Sequence, residues 1–184
     1  MRITELLQKN SIALQNNKIL SIRERLKKCF NRKEVEHIMK KLNWGMLGTG
    51  WIAHEMGEAL QRVNGEIYAC CATSIESAEK YAKEFGVKHA YGSVDEMLAD
   101  ENIDIVYIAT PHNSHYKFLM KALQSGKHVF CEKAITVNDA QLEEAVKLAA
   151  EKKLVICDGM TLYHMPVFKK LKEIVDSGKL GPVK

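Results

Sequence analysis

From residue 42 onward, short apolar runs alternate with stretches that place apolar residues on one helical face. The runs read WGMLG, IYACCA, DIVYIAT, KHVFCE and LVICDGM, and none approaches the length of a membrane span. Strands that alternate with helices predict βαβ units and a parallel sheet. Because the runs are apolar at successive positions, we expect helices to cover both faces of the sheet. The predicted fold class is α/β, a doubly wound parallel sheet of the Rossmann type.

The stretches between the runs carry helical signals. ESAEKYAKEF is predicted to bury one face, made of Ala78, Tyr81, Ala82 and Phe85. NDAQLEEAVKLAAEKK is predicted to do the same with Leu142, Ala145, Val146 and Ala149. HYKFLMKALQSG ends in Gly126, a residue type that favours the end of a helix. Ser93 and Glu96 have the spacing of a capping box before VDEML.

Charge changes this picture only at the N-terminus. Residues 1–43 hold 11 Lys and Arg against 4 Asp and Glu, a net charge of +7, whereas residues 44–184 carry −3. Residues 21–40 have an apolar stripe that predicts a helix. A solvated helix or tail is favoured over nucleic-acid binding, since no aromatic residues interleave with the charges. We therefore expect no nucleic-acid partner and no membrane partner.

The cysteines favour a reducing compartment. There are five, an odd number without a CxxC pair: Cys29 lies in the basic N-terminal segment, and the other four, Cys70, Cys71, Cys131 and Cys157, lie in apolar runs. Buried reduced thiols are a better interpretation than a disulfide framework or a metal site. We expect a cytoplasmic protein without a bound metal.

The stretch GMLGTGWIAHEM, residues 45–56, has the spacing G-x-G-x-x-A at Gly48, Gly50 and Ala53. An ordinary turn can also have this spacing, but here it lies between a predicted strand and a predicted helix, as a dinucleotide site requires. Gly48 would permit the tight turn, Gly50 would let backbone N–H groups approach a pyrophosphate, and Ala53 would let the helix pack against the sheet. The start of the helix adds partial positive charge.

The end of the second strand bears on the choice between NAD and NADP. An NAD-preferring site usually has Asp or Glu there, which binds the ribose hydroxyls. This chain has Ala72, Thr73 and Ser74 instead. Thr73 and Ser74 can donate to a 2′-phosphate, although no Arg lies beside them, and they can also simply close a turn. The sequence leaves the cofactor as NAD or NADP, with a lean towards NADP.

Two later segments, IATPHNSHYKFLMKAL and GKHVFCEKAITVN, also follow predicted strands. Carboxyl ends of strands are where an open α/β sheet binds its ligands. Together with the glycine turn and with GKLGPVK near residue 184, these segments resemble the Gfo/Idh/MocA family of oxidoreductases, which includes glucose–fructose oxidoreductase and inositol 2-dehydrogenase. The resemblance covers about residues 42–184.

The resemblance implies an NAD(P)-dependent dehydrogenase that acts on a sugar, polyol or diol. Within the family, TPHNSH and the EKA form are similar to the dihydrodiol and sugar-type dehydrogenases. The family's cofactor contacts fall on Gly48, Thr49, Gly50, Trp51, Ile52, Ala53, Thr73, Ser74, Thr110, Pro111, His112, His115, Glu132, Lys133 and Tyr163.

Lys133 is the candidate catalytic residue, because it matches the lysine of the family's Glu-Lys-Pro motif. A lysine that is partly buried at a strand end can have a lowered pKa and can act as an acid or a base. Without the resemblance, a lysine that leaves a strand is most simply a surface residue. Two residues depart from the pattern. His112 stands where Asn is common, and Ala134 replaces the Pro, which leaves open whether the bond before it is cis.

We expect three segments along the chain. Residues 1–38 form a basic extension, residues 39–163 the NAD(P)-binding domain, and residues 164–184 a helix and the start of a linker. The family's second domain would begin where this sequence stops, so we expect an incomplete enzyme. A non-catalytic nucleotide-binding or dimerising module is the alternative, and homo-oligomerisation is expected in either case.

Overall fold

The computed structural model describes residues 42–62 and 65–181, except for the side chains of residues 163 and 164. The predicted extension 1–38, the helix over 21–40 and Cys29 lie outside the described residues. Strands and helices alternate in the order β1 (Asn43–Leu47), α1 (Trp51–Arg62), β2 (Glu66–Cys71), α2 (Ile75–Phe85), β3 (His89–Tyr91), α3 (Val94–Ala99), β4 (Ile105–Ile108), α4 (His112–Gln124), β5 (His128–Cys131), α5 (Asp139–Lys152), β6 (Ile156–Asp158), a 3-10 turn (Thr161–His164) and α6 (Pro166–Asp176).

The six strands form one parallel sheet in the order β3-β2-β1-β4-β5-β6. Leu47, at the end of β1, pairs with Cys71 of β2 on one side and with Ile108 of β4 on the other. The chain builds one half of the sheet outward from β1, crosses over, and builds the other half from β4. This order is that of a doubly wound Rossmann fold, so the predicted fold class is confirmed.

Both faces of the sheet are buried, as the continuous apolar runs predict. Neighbouring residues on one strand belong to different cores, because successive side chains point to opposite faces. Met46 and Cys70 lie in the core beneath α1 and α2, whereas Leu47 and Cys71 lie in the core beneath α3, α4 and α5. No helix in the described ranges is both long and apolar enough to cross a membrane.

Two expectations about apolar positions are wrong. Val146 is exposed, and Leu148 packs against the core instead. The reason is the rotation of α5 about its axis. Ala145 and Ala149 are its buried residues, so the helix turns Val146 towards solvent. Cys157 is also exposed, because β6 is the short edge strand of the sheet, whereas Cys70, Cys71 and Cys131 are buried free thiols.

The predicted helix ends are confirmed in part. Gly126 has a φ of +76°, the left-handed conformation that favours glycine, and it directly follows α4 and its capping Ser125. Ser93 is the residue before α3, but its side chain makes no capping hydrogen bond, so the capping box with Glu96 is wrong. Strand β3 was not predicted, since its sequence HAY is too short to show a pattern.

The burial pattern gives a direct stability test. Leu119 is fully buried in the core beneath α4, so Leu119→Ala should lower the free energy of unfolding by about 2–5 kcal/mol through lost burial and a cavity. Val146→Ala, on the exposed face of α5, should change it by less than about 0.5 kcal/mol. Urea unfolding followed by circular dichroism measures both. Equal effects would contradict the assignment of Val146 to the surface.

Candidate functional site

The turn between β1 and α1 is built around Gly48. Its N–H donates to the Cys71 carbonyl at 2.9 Å, which ties the turn to the end of β2. Gly48 has a φ of +102°, and a Cβ placed on it would lie 2.5 Å from the Ala109 carbonyl oxygen at the end of β4. Only glycine meets both conditions, since any other side chain would strain the backbone and clash with it.

Gly50 differs from Gly48 because it faces open space. A Cβ placed on Gly50 would meet no atom within 4 Å. Its carbonyl accepts from Ala53 N–H at 3.0 Å and from His54 N–H at 3.2 Å, so it precedes the first turn of α1. The first N–H groups of any helix lack partners within the helix and attract anions. The space beside Gly50 is therefore suited to a phosphate group.

Helix α1 packs close to helix α2. Ala53 is fully buried, and its carbonyl accepts a hydrogen bond of 2.7 Å from the Tyr81 hydroxyl. A Cβ on Gly57 would lie 2.6 Å from the Phe85 ring, so the third small position of the motif and the glycine one turn later both permit this approach. The contact holds the start of α1 at the end of the sheet.

A cleft with a volume of about 600 Å³ opens at the carboxyl ends of β1 and β4, the switch point of the sheet. We call it the β1–β4 cleft. It brings together twelve of the predicted site residues: Gly48, Thr49, Gly50, Trp51, Ile52, Thr73, Thr110, Pro111, His112, His115, Glu132 and Lys133. These residues come from four separate loops, which only the sheet topology places side by side.

Three predicted residues do not line the cleft. Ala53 lies buried beneath the turn, and Ser74 caps α2 by accepting a hydrogen bond of 3.3 Å from Ser77 N–H. Tyr163 lies on the 3-10 turn, and its side chain is outside the described part of the chain. Their cofactor contacts stay predictions. The cleft is also lined by residues that the sequence reasoning missed: Ala72, Ser77 and Ala109.

Signals for the missed residues are present but weak. Ala72 and Ala109 each directly follow a strand, so their position alone brings them to the cleft. Ser77 lies three residues after the helix cap Ser74, and this spacing places both residues on the same first turn of α2.

His115 joins two of the loops that line the cleft. The side chain is buried, and its Nε2 lies 2.7 Å from the Thr110 carbonyl while Nδ1 lies 2.8 Å from the Ala134 carbonyl. Both carbonyls accept hydrogen bonds, and each ring nitrogen lies within hydrogen-bond distance of one of them. The ring thereby links the loop after β4 to the loop after β5.

Glu132 is held by a tyrosine of the neighbouring strand. The hydroxyl of the buried Tyr107 donates to Glu132 Oε1 at 2.6 Å, and Lys133 N–H donates to Oε2 at 3.3 Å. A Cβ on Gly159 would lie 2.9 Å from Oε1, so glycine leaves the space that the carboxylate fills. Burial, together with Glu132, raises the pKa of Tyr107 above its ordinary value and keeps the hydroxyl a donor.

Lys133 lines the cleft and also a second cavity of about 540 Å³ formed by residues 133–139, Leu142, Asp158 and Met160. The side chain is exposed, so the expectation of partial burial is wrong. The peptide bond between Lys133 and Ala134 is cis. Lys133 thus borders two open spaces, one beside the glycine turn and one beside α5.

Comparison with known proteins agrees with this arrangement. Residues 42–159 match GFO_IDH_MocA, an oxidoreductase family with an NAD-binding Rossmann fold. Over 155 aligned residues the chain is 37% identical to D-xylose 1-dehydrogenase (NADP(+)) of Hypocrea jecorina, with coverage of 77% of this chain and 40% of that protein. It is 30% identical to mouse trans-1,2-dihydrobenzene-1,2-diol dehydrogenase over 146 residues, which cover 78% and 44% of the two chains.

A solved structure of an oxidoreductase also matches this chain. A 3-ketoreductase from Actinomadura kijaniata, in complex with NADP, superposes with a TM-score of 0.72 at 26% identity. The match covers 77% of this chain and 46% of that one. The chain therefore spans less than half the length of each of these relatives.

The two glycines of the turn should respond differently to alanine. Gly48→Ala should lower the free energy of unfolding by about 1–3 kcal/mol, because the left-handed backbone and the Ala109 carbonyl both oppose a Cβ. Gly50→Ala should change it by less than about 1 kcal/mol, since its Cβ would enter open space. Urea unfolding compares the two variants with the parent chain. A smaller loss at Gly48 than at Gly50 would contradict the observed turn.

The bond between Tyr107 and Glu132 can be tested on its own. Tyr107→Phe should cost about 1–3 kcal/mol of stability, because a partly buried carboxylate loses its donor. Tyr116→Phe is the matched control. It removes a hydroxyl that donates to Glu144 on the exposed surface, and it should leave the unfolding midpoint nearly unchanged. Similar midpoints for the two variants would show that the buried bond does not stabilise the fold.

Proposed function

The chain belongs to the Gfo/Idh/MocA family of oxidoreductases, and from this premise we propose that the β1–β4 cleft holds a nicotinamide dinucleotide. The observation that carries the proposal is the open side of Gly50 above the first turn of α1. A pyrophosphate fits there because no side chain intervenes and the helix N-terminus favours negative charge. Thr49, Trp51 and Ile52 line the same part of the cleft.

The rest of the cofactor would lie across the carboxyl ends of the strands. Thr73, after the end of β2, would face the adenosine ribose, and the loop after β4 with the first turn of α4, Thr110 to His115, would face the nicotinamide half. His115 would act by holding that loop to the Lys133–Ala134 segment, since both of its nitrogens contact backbone carbonyls. Contacts from Ala53, Ser74 and Tyr163 remain part of the proposal.

We propose that the whole protein transfers a hydride between this cofactor and a sugar, polyol or diol. The relatives that act on D-xylose and on a dihydrodiol support this substrate class. Oxidation of an alcohol removes a hydride from carbon and a proton from oxygen, and the bound nicotinamide would take the hydride. Lys133 Nζ would contact the substrate oxygen and act as the acid or base that handles its proton, because the residue lines both the cleft and the adjoining cavity, where a substrate would lie.

We propose NADP rather than NAD as the preferred cofactor. Residues 72–74 contain no carboxylate that would oppose a 2′-phosphate. A relative named for NADP(+) and a solved relative that contains NADP support this preference. The domain limits 39–163 and 164–184, a cytoplasmic location and homo-oligomerisation remain predictions.

A second candidate function is nucleotide binding without catalysis. The exposed surface of α6 supports this binding-only alternative. None of the residues of α6 is buried, and its apolar residues Val167, Leu171 and Val175 lie exposed. A surface of this kind can associate with another protein surface. Reduction of NADP by the chain in the presence of D-xylose or another polyol would exclude the binding-only alternative.

Tryptophan fluorescence tests cofactor binding directly, because Trp51 lines the cleft and is 77% exposed. NADPH should quench it in a saturable titration of the parent chain. Gly50→Val should weaken binding by at least about ten-fold, since its side chain would fill the pyrophosphate space. Lys133→Met should keep the affinity within about two-fold yet abolish any turnover of a polyol. A parent chain that binds neither NADPH nor NADH would overturn the proposal.

A further inference from the structure

A small cavity of about 200 Å³ lies beside the β1–β4 cleft. It is lined by Thr49 of the glycine turn, by His54 of α1, and by Ser77, Lys80 and Tyr81 of α2. Thr49 and Ser77 also line the cleft, so the two spaces adjoin. The small cavity therefore extends the cleft on its β2 side, where a dinucleotide places its adenosine ribose.

The lining of this cavity is polar and carries no acidic side chain. Ser77 Oγ accepts a hydrogen bond of 3.2 Å from Ser74 Oγ, which leaves the Ser77 hydroxyl proton free to donate. The Tyr81 hydroxyl is committed to the Ala53 carbonyl, so Tyr81 supplies an apolar wall. An acceptor that entered the cavity would meet hydroxyl donors and a cation.

Lys80 is that cation. Within residues 42–62 and 65–181, no carboxylate oxygen lies within 4.0 Å of its Nζ, whereas Lys88 and Lys121 both form ion pairs. Lys80 is one turn further along α2 than Ser77, so the two side chains project from the same face of the helix. Both residues line the small cavity, so a phosphate bound there would lie beside the amine and the hydroxyl together.

Two carboxylates of α2, Glu76 and Glu84, have other partners. Glu84 Oε2 lies 3.2 Å from His54 Nε2. His54 Nδ1 lies 2.9 Å from the Gly50 carbonyl, so the His54 ring is held on both sides and lines the cavity in one orientation. Glu76 is held by its own backbone N–H and by Ser74, which lower the pKa of its carboxyl below the ordinary value. Neither Glu76 nor Glu84 lines the cavity.

We propose that Lys80, with the hydroxyls of Ser77 and Thr49, forms a subsite for the 2′-phosphate of NADP(H). This inference rests on the proposed cofactor binding and deepens it. The sequence has no Arg at the end of β2, and Lys80 supplies the missing positive charge from α2 instead. NAD has a hydroxyl at the 2′ position of this ribose, where NADP has a phosphate. Bound NAD would therefore leave the Lys80 amine without a phosphate partner.

Titrations of the full chain with NADPH and with NADH, followed by tryptophan fluorescence, test this subsite. Lys80→Met should weaken NADPH binding by about ten-fold or more through one lost charge-assisted contact, and leave NADH binding within about two-fold. Ser77→Ala should weaken NADPH binding by a smaller factor. Lys80→Arg should retain the preference for NADPH, because it keeps the charge.

Lys83→Met is the matched control, since Lys83 is an exposed lysine of the same helix that lines neither space. It should change the affinity for neither dinucleotide. The subsite alone is overturned if the parent chain binds NADPH and NADH equally, if Lys80→Met weakens both alike, or if Lys83→Met has the same effect as Lys80→Met. A parent chain that binds neither dinucleotide overturns the proposed cofactor binding as well.

Discussion

The close contact between Gly48 and the Ala109 carbonyl is the constraint on which the rest of the site depends. At this point three neighbouring strands end together, because Gly48 N–H donates to Cys71 of β2 and Ala109 N–H donates to the Leu47 carbonyl of β1. A side chain at position 48 would force the strand ends apart. With glycine there, the chain turns at once into α1, and the unpaired N–H groups of that helix face the switch point of the sheet.

The other side of the cleft depends on hydrogen bonds between neighbouring loops. His115 links the loops after β4 and β5 through two backbone carbonyls, and Tyr107 of β4 holds Glu132 at the end of β5. Both side chains are buried, so water does not compete for these bonds. Lys133, in contrast, is exposed. The structure thus combines a cleft wall held by hydrogen bonds with an exposed position for the residue proposed to move the proton.

Whether a sequence prediction was confirmed depended on whether the pattern behind it is visible locally in the chain. Hydrophobic periodicity predicted five of the six strands and the helices between them, because burial on both faces leaves a continuous apolar run in each strand. It did not predict β3, which is three residues long, and it placed Val146 in the core although the phase of α5 turns that residue outward. The capping box at Ser93 was wrong because its side chain makes no bond to the helix.

The amino-acid sequence by itself determined the fold class and most of the residues that line the β1–β4 cleft, since the glycine spacing and the strand-end motifs are local and their positions follow from alternating strands and helices. Tertiary structure decided which side chains meet across elements. Tyr107 resembles any other residue of an apolar strand until β4 lies beside β5, and Lys80 resembles any other exposed helix lysine until α2 packs beside the glycine turn. Contacts between residues distant in the chain depend on strand order and helix packing, and no short motif encodes them.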